Sequence, residues 1–279
     1  MRSKTSLQAL RRMALVFAIL CGNALTMPAM ANDAAARVAV LVYHRFGQTA
    51  ADSMTVRVQT FEAQLRMLRA LGYRFVPLHD VVAWLEDQRA GLPPKAIALT
   101  VDDGHRSVFD TLRPIALREH LPITLFIYPS AISNASYALT WDQLRALQAT
   151  GLFDVQSHTY WHPNFNVERA RLPHEAFEAF ATMQLQKSRA SLEAHLQTHV
   201  DLLAWPFGIV DDELVQWARV AGYRAAFELG GRTIDRDSPR FKLSRLLVVD
   251  SDTPLVLARL LGEPADADQH NTPLPEKQP

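Results

Sequence analysis

Ala96-Ile97-Ala98-Leu99-Thr100-Val101-Asp102-Asp103-Gly104 is a short run, apolar on both faces, that ends in two adjacent carboxylates and a glycine. A strand without a polar face is one covered on both sides, as the strands of parallel α/β sheets are. Asp102 and Asp103 then sit at the carboxyl end of that strand, and Gly104 permits the sharp departure that a side chain would hinder. In parallel α/β architectures the carboxyl ends of the strands share one face, and that face carries the active site.

The same pattern recurs in both directions along the chain. Arg37 to Tyr43, Ile123 to Tyr128, Phe153 to Gln156, Leu202 to Trp205, Ala225 to Leu229 and Leu246 to Val249 read as further strands. Helical candidates fall between them: Phe61 to Leu71, Val81 to Asp87, Val108 to Arg118, Trp141 to Thr150, Glu175 to His195, Glu213 to Ala221 and Pro254 to Leu261. Such alternation predicts an α/β fold, either a parallel sheet or a barrel.

The 279 residues are 48% hydrophobic and 21% charged, enough to bury a substantial core. Arg2, Lys4, Arg11 and Arg12 precede the apolar run Met13 to Leu20, and Ala29-Met30-Ala31 offers small residues at a cleavage position. This predicts a secretory signal peptide over 1–31, hence an exported protein, periplasmic first and secreted as the alternative. An uncleaved anchor needs ~20 apolar residues, and this stretch falls short before Asn23. The only cysteine, Cys21, lies inside the segment, and the large Leu20 before it argues against a lipoprotein. Removing four bases and no acids turns 29 against 29 into 25 against 29, a formal charge of −4 with no basic footprint for nucleic acid. No stable membrane insertion is expected once the signal is cleaved. Residues 263–279, rich in Pro, Asp and Gln, read as a disordered tail.

A second motif follows the Phe153 to Gln156 run: Ser157-His158-Thr159-Tyr160-Trp161-His162. Imidazoles four residues apart on a helical turn would have Cβ atoms ~5–6 Å apart, close enough to share one ion. With Asp103 they make three protein ligands for a divalent metal and leave positions open, as catalytic sites require. Asp102 remains beside them as a carboxylate. Ten histidines make some pair at this spacing unsurprising, and the chain contains another, His195 and His199. That pair ends a helix on the opposite side of the sheet, where positive charge near a helix carboxyl terminus is its plain reading.

Asp-Asp-Gly at one strand end, His158-x-x-x-His162 at a second and Trp205-Pro206-Phe207-Gly208 at a third resemble the polysaccharide deacetylase family, carbohydrate esterases that share the NodB homology domain. The run Asp154 to Phe165, with Val42-Tyr43-His44-Arg45, is most similar to the exported bacterial branch acting on surface polysaccharides, including poly-N-acetylglucosamine. The resemblance implies a distorted (β/α)7 barrel as a single catalytic domain over 36–262. It implies metal-dependent hydrolysis of N-acetyl groups from an N-acetylhexosamine polysaccharide. The implied cofactor is a divalent ion at Asp103, His158 and His162, zinc first, with cobalt, nickel or iron(II) as alternatives. Asp102 is the implied general base. Pro206 and the backbone N–H of Phe207 are the implied oxyanion support, and polysaccharide synthesis or export machinery is a possible partner.

The chain departs from the family pattern in two places. The arginine that orients the base is replaced at the aligned position by Ala204, and Leu247-Val248-Val249-Asp250 lacks the histidine of the last motif. Arg245 is the candidate to orient Asp102, a surface ion pair being its other reading. His44 is the candidate general acid, with a packed, hydrogen-bonded histidine as the alternative. His105 is a weaker candidate and reads as the start of a helix. Tyr43, Trp161, Trp205 and Phe207 could wall a sugar and acetyl pocket, Trp161 more than Trp205, for which packing is the plainer reading. The turn-rich loop 230–239 could touch substrate on the rim. Other functions stay open at this level: a hydrolase of another amide or O-acetyl ester, or a sugar-binding homologue with little or no turnover. A His-Glu-x-x-His protease is excluded by Thr159.

Overall fold

Every strand pairing is parallel, and the main sheet is brought round on itself by the stretch Leu243–Leu247. The computed structural model describes residues 37–87 and 90–264. The expected signal peptide, 1–31, and residues 265–279 of the expected tail lie outside them. Of the tail's first residues, Glu263 accepts hydrogen bonds from Tyr73 and Lys95.

In chain order the strands are β1 (Ala39–Tyr43), β2 (Arg45–Gly47), β3 (Thr55–Arg57), β4 (Arg74–Phe75), β5 (Ala96–Asp102), β6 (Ile123–Ile127), β7 (Phe153–Ser157), β8 (Leu202–Ala204), β9 (Ala225–Glu228), β10 (Leu243–Ser244) and β11 (Leu246–Leu247). The helices are α1 (Val58–Ala70), α2 (Leu78–Glu86), α3 (Arg113–Glu119), α4 (Trp141–Gln148), α5 (Phe165–Arg171), α6 (His174–Leu196), α7 (Asp212–Val220) and α8 (Pro254–Leu260). The sheet order is β10-β9-β8-β7-β6-β5-β1-β11, with β4 added on β5. Because β10 and β11 flank the single residue Arg245, they are two halves of one strand: the first half pairs with β9 and the second with β1. The wall is therefore a nearly closed barrel with seven strand positions, the distorted (β/α)7 architecture.

Alternation along the strands sorts side chains to two sides. Val38, Val40, Ala96, Ala98, Phe126, Leu202, Ala204, Ala225, Phe227 and Leu243 form one apolar cluster that takes in Leu78, Val81, Val82 and Trp84 of α2. These wall residues lie mostly at strand starts, so α2 closes the amino-terminal mouth of the barrel. The intervening residues, among them Leu41, Leu99, Leu125, Val155 and Leu203, belong to the larger cluster beneath the outer helices. Asp102, His158 and Arg245 share the inward parity of the first cluster at the other end of the same strands, which aims them into the barrel's carboxyl-terminal mouth.

Several elements differ from the sequence reading. The last strand begins at Leu243 and breaks at Arg245 instead of running from 246 to 249. The helix expected over 108–118 starts with a wider π turn, Val108–Leu112, before α3. Pro114 removes the N–H that an α-helix would direct at the Asp110 carbonyl, which suits the wider turn. Loop 230–239 runs away from the site: Ile234 pairs with Val38 at the start of β1, and Arg236 donates to the Trp84 carbonyl at the far end. A parallel return from β9 to β10 must cross the full height of the barrel, so the loop cannot stay on the rim. Between β7 and β8 the ladder has one register pair, Ser157 with Leu203. The Gln156 side chain supplements it by accepting from Asp201 N–H at 3.0 Å and Leu202 N–H at 2.9 Å. No helix among the described residues is long and apolar enough to cross a membrane.

At the amino-terminal end His79 lies between two carboxylates, Nδ1 at 3.3 Å from Asp154 and Nε2 at 2.9 Å from Asp201. Asp154 first and then Asp201 raise its pKa from 6.5 to about 9, against the opposing effect of burial. A folded-state pKa above the unfolded value means the stabilisation is fully present below pH 6.5 and is lost as pH rises toward about 9. Thermal unfolding followed from pH 6 to 9.5 should therefore show a fall in melting temperature over that window, and His79→Gln should flatten it.

Candidate metal centre and its carboxylate neighbour

Three strand ends build the site. Asp102 is the last residue of β5, and Asp103 turns away from it with φ at 72° before Gly104 at 69°. Asp103 N–H donates to the Phe126 carbonyl at 3.1 Å and His158 N–H to the Ile127 carbonyl at 2.8 Å, so both ligand-bearing ends are tied to β6. A Cβ on Gly104 would come within 2.9 Å of Ile127, which adds a steric reason for glycine to the conformational one.

His158 and His162 meet without the helical turn that their spacing suggested. The segment after β7 is an irregular loop in which Thr159 and His162 are left-handed, at φ 62° and 63°. Pro163 disfavours a helical conformation for His162, and side chains hold the bend instead. Thr159 Oγ1 accepts from His162 N–H at 3.2 Å, and Ser157 Oγ accepts from Thr159 N–H at 3.2 Å. Behind them, Ser157 Oγ is bonded to Ser188 Oγ at 2.7 Å and to the Tyr223 hydroxyl at 2.8 Å, while Gln184 Oε1 accepts from Trp161 N–H at 3.0 Å. Ser188 and Gln184 are buried residues of α6, so the longest helix clamps the ligand loop. Ser157 and Thr159 stand in the motif read from the sequence, whereas Gln184, Ser188 and Tyr223 were not singled out, because buried glutamine, serine and tyrosine far along the chain carry no motif.

Asp103, His158 and His162 each offer a ligand atom, and these atoms lie within 4.8 Å of one another. His158 Nδ1 is 2.8 Å from the Ala204 carbonyl, which can only accept, so Nδ1 carries the proton and Nε2 has the free lone pair. Burial drives His158 down to about 3, and burial likewise lowers His162, so both rings are neutral. The 3.8 and 3.7 Å approaches of their Nε2 atoms to Asp103 Oδ1 are therefore not ion pairs, and the His158 Nε2 lone pair faces the carboxylate. Burial also raises Asp103 above the usual carboxylate range. Its Oδ1 is buried with no hydrogen-bond partner. An orphaned carboxylate oxygen opposite two neutral imidazoles is a donor set that fits a divalent cation.

Asp102 is treated differently. Arg245 Nη1 donates to Oδ1 and Nη2 to Oδ2, both at 2.8 Å, and Nη1 also donates to Thr100 Oγ1 at 3.1 Å. Arg245 is 1% exposed, with its guanidinium over the Phe126 ring at 5.2 Å, so the surface reading of this residue is replaced by a fully buried pair. Burial by itself would raise Asp102; Arg245 and then His158 outweigh it and hold the carboxyl at about 2. The closing strand thus supplies the buried partner of Asp102, while the Ala204 carbonyl accepts from His158.

The remaining candidates divide. His44 follows β1 on the same rim, lowers the pKa of both carboxylates through its field, and has a buried Nδ1 with no hydrogen-bond partner. Phe207, left-handed at φ 57°, sets its ring 4.6 Å from His162, and Pro206 beneath it is buried. Trp161, between the two imidazoles in sequence, is exposed, with its ring 5.9 Å from Phe180 of α6. Tyr43 and Trp205 are not walls of the site: both are buried, Tyr43 bonded to Gln64 and Trp205 Nε1 to the Phe241 carbonyl. His105 starts no helix; it bridges Ala138 and is bonded to Ser107. His195 stacks on Trp141 at 4.0 Å, away from the triad. Asp250 is held by Arg57 and Thr60.

The polysaccharide deacetylase family profile matches residues 89–226. The chain is 23% identical over 199 residues to a poly-β-1,6-N-acetyl-D-glucosamine N-deacetylase of Staphylococcus epidermidis, covering 70% of this chain and 68% of that protein. Among solved structures it resembles IcaB from Ammonifex degensii, with TM-score 0.69 and 25% identity over 80% of this chain and 96% of that one. It also resembles the Streptococcus pyogenes deacetylase PplD in fold, with TM-score 0.71 and 21% identity over 82% of this chain and 99% of that one.

Replacing Arg245 by methionine leaves a buried carboxylate without its counter-charge, a loss of about 3–5 kcal/mol for a broken buried pair. Urea unfolding should register that loss, and adding Asp102→Asn to the same variant should recover a substantial part of it.

Proposed function

The chain carries a polysaccharide deacetylase domain, residues 89–226, and from that premise we propose that the protein hydrolyses N-acetyl groups of an N-acetylhexosamine polymer, poly-β-1,6-N-acetylglucosamine first among them. The observation that carries this reading is the pairing of two unlike carboxylates: Asp103, with an orphaned oxygen among two neutral imidazoles, and Asp102, locked by Arg245. The name borne by the Staphylococcus epidermidis relative supports the choice of polymer.

Asp103, His158 and His162 would hold the ion, zinc before cobalt, nickel or iron(II). When bound there, a divalent ion supplies Lewis acidity, polarising an amide carbonyl and making water acidic enough to attack near neutral pH. Asp102 stays ionised at neutral pH, and Arg245 fixes its rotamer. Each Asp102 oxygen keeps a lone pair beyond its bond to the guanidinium, and Oδ2 lies 3.6 Å from His158 Nε2, beside the ligand set. This oxygen accepts the proton of the attacking water. By the family resemblance, the Phe207 N–H meets the developing oxyanion. Asp250, occupied by Arg57 and Thr60, does not protonate the departing amine. His44 is the imidazole left on the rim to do so. The signal segment expected over 1–31 supports a reaction outside the cytoplasm, where polysaccharide synthesis or export machinery would be the natural neighbour.

Purified protein should release acetate from poly-β-1,6-N-acetylglucosamine. Chelation and Asp103→Ala should each abolish release, with chelated wild type recovering on adding zinc or cobalt. Asp102→Asn should lose turnover by a factor of about 10²–10⁴ while still binding the ion by calorimetry. Wild type that loads metal and binds the polymer yet frees no acetate would instead mark a sugar-binding homologue.

A further inference from the structure

β7 and β8 are the least bound neighbours in the barrel wall. They share one register pair, Ser157 with Leu203, whereas every other neighbouring pair of the main sheet shares two or more. A ladder this short fixes register weakly. The seam is sewn instead by three inward side chains of the β7 segment, at alternate positions. Asp154 reaches Asp201 through His79, Gln156 meets the start of β8, and the ligand His158 meets its end at the Ala204 carbonyl.

Gln156 is the middle stitch and is fully buried. Its Oε1 accepts from the Asp201 and Leu202 N–H groups at 3.0 and 2.9 Å, and its Nε2 donates to Asp154 Oδ1 at 3.1 Å and to the His199 carbonyl at 3.3 Å. A side-chain amide has two lone pairs and two N–H donors, so all four are used, and the flipped orientation would turn NH2 against two N–H groups. Two residues beyond Leu202, the Ala204 carbonyl accepts from His158 Nδ1 at 2.8 Å. A strand rises about 3.3 Å per residue, so a slip of β8 by one residue carries that carbonyl out of hydrogen-bonding reach. On the other side of the ring, Asp102 Oδ2 and Asp103 Oδ1 lie 3.6 and 3.8 Å from Nε2, and carboxylates there favour a proton on that nitrogen. A proton on Nε2 takes away the lone pair that ligation needs. The tautomer of His158 is a contest between one backbone carbonyl and two carboxylates, and the height of β8 decides it.

We propose that Gln156 is a positioning residue of the metal centre: by holding the amides of Asp201 and Leu202 it sets β8 against β7 at the height where the Ala204 carbonyl keeps the His158 proton on Nδ1. The proposal deepens the deacetylase reading and rests on it for the ion, whereas the tautomer of His158 is a property of the chain alone.

The test compares the full chain with Gln156→Met, which is similar in volume and has no amide. In chelator-treated protein the nitrogen chemical shifts of the His158 ring report which atom carries the proton, and calorimetry with zinc alone reports affinity. Expected for Gln156→Met are a proton moved onto Nε2, lost hydrogen-exchange protection at the Asp201 and Leu202 amides, and zinc affinity lowered about 10–100-fold, the scale for losing a partner of a metal-bound histidine. Gln156→Glu, its buried carboxyl protonated beside Asp154 and still accepting from both amides, should stay close to wild type. Gln64→Met removes a buried amide of the same kind, bonded to Tyr43 and to the Asp252 carbonyl. It should lower stability and leave the His158 ring and zinc affinity unchanged. A proton kept on Nδ1 or an unchanged zinc affinity in Gln156→Met overturns the proposal, and so do equal effects of Gln156→Met and Gln64→Met on tautomer and affinity. Should Gln156→Met not fold, Gln156→Asn, one methylene too short to reach β8, is read in the same way. If wild type binds no zinc, the metal reading has failed, and the His158 tautomer alone decides Gln156: moved to Nε2 in the variant it upholds the positioning role, and unmoved it removes it.

Discussion

The bidentate contact between Arg245 and Asp102 joins the architecture to the chemistry. Arg245 occupies the break between β10 and β11, where one strand leaves β9 and takes up β1 to bring the barrel round. A buried guanidinium requires a counter-charge, and a buried carboxylate does too. Each satisfies the other across the barrel mouth. Adjacent aspartates in a low-dielectric site repel if both ionise. With Arg245 committed to Asp102, Asp103 Oδ1 is left buried with no hydrogen-bond partner among the described residues. The division of labour between two neighbouring carboxylates thus follows from where one strand breaks.

The rest of the site is loop, and its form has to be imposed. Asp103, Thr159, His162 and Phe207 are all left-handed at non-glycine positions, and all four belong to segments that follow strand ends at the same mouth. Such conformations are unfavourable alone and are maintained by surrounding bonds. For the loop of Thr159 and His162 the bonds come from buried side chains of α6 and from Tyr223, through Ser157, and from the Gln184 contact to Trp161; Asp103 is held by its N–H bond to the Phe126 carbonyl. The long helix serves as a backing plate: its apolar residues pack on the barrel, and its buried polar residues hold the ligand loop.

The two ends of the barrel differ in how their charges are met, although Asp154 Oδ2 at the amino-terminal end is also buried without a hydrogen-bond partner among the described residues. At the amino-terminal end His79, Asp154, Asp201, Arg224 and Glu86 pair cation with anion. At the carboxyl-terminal end, Asp103 Oδ1, His44 Nδ1, Arg45 Nε and Arg245 Nε are buried without hydrogen-bond partners among the described residues. Paired charges add to the fold, whereas unpaired buried polar atoms are tolerated where a ligand is to meet them.

The amino-acid sequence by itself determined the alternation of buried strands and amphipathic helices, the placing of Asp102, Asp103 and His158 at strand ends, and the motif order that resembles one family. These are local properties, legible because strand periodicity and turn chemistry act over a few residues. The tertiary structure alone decided the rest. It showed that Arg245, a hundred and more residues from Asp102, pairs with it in the buried mouth, that the His158–His162 bend is a clamped loop and no helix, and that Tyr43 and Trp205 are core. It also brought the Tyr128 ring to 5.5 Å from His162. Such outcomes depend on which strand closes the barrel and which helix lies behind a loop, and contacts between distant segments leave no periodic trace along a single chain.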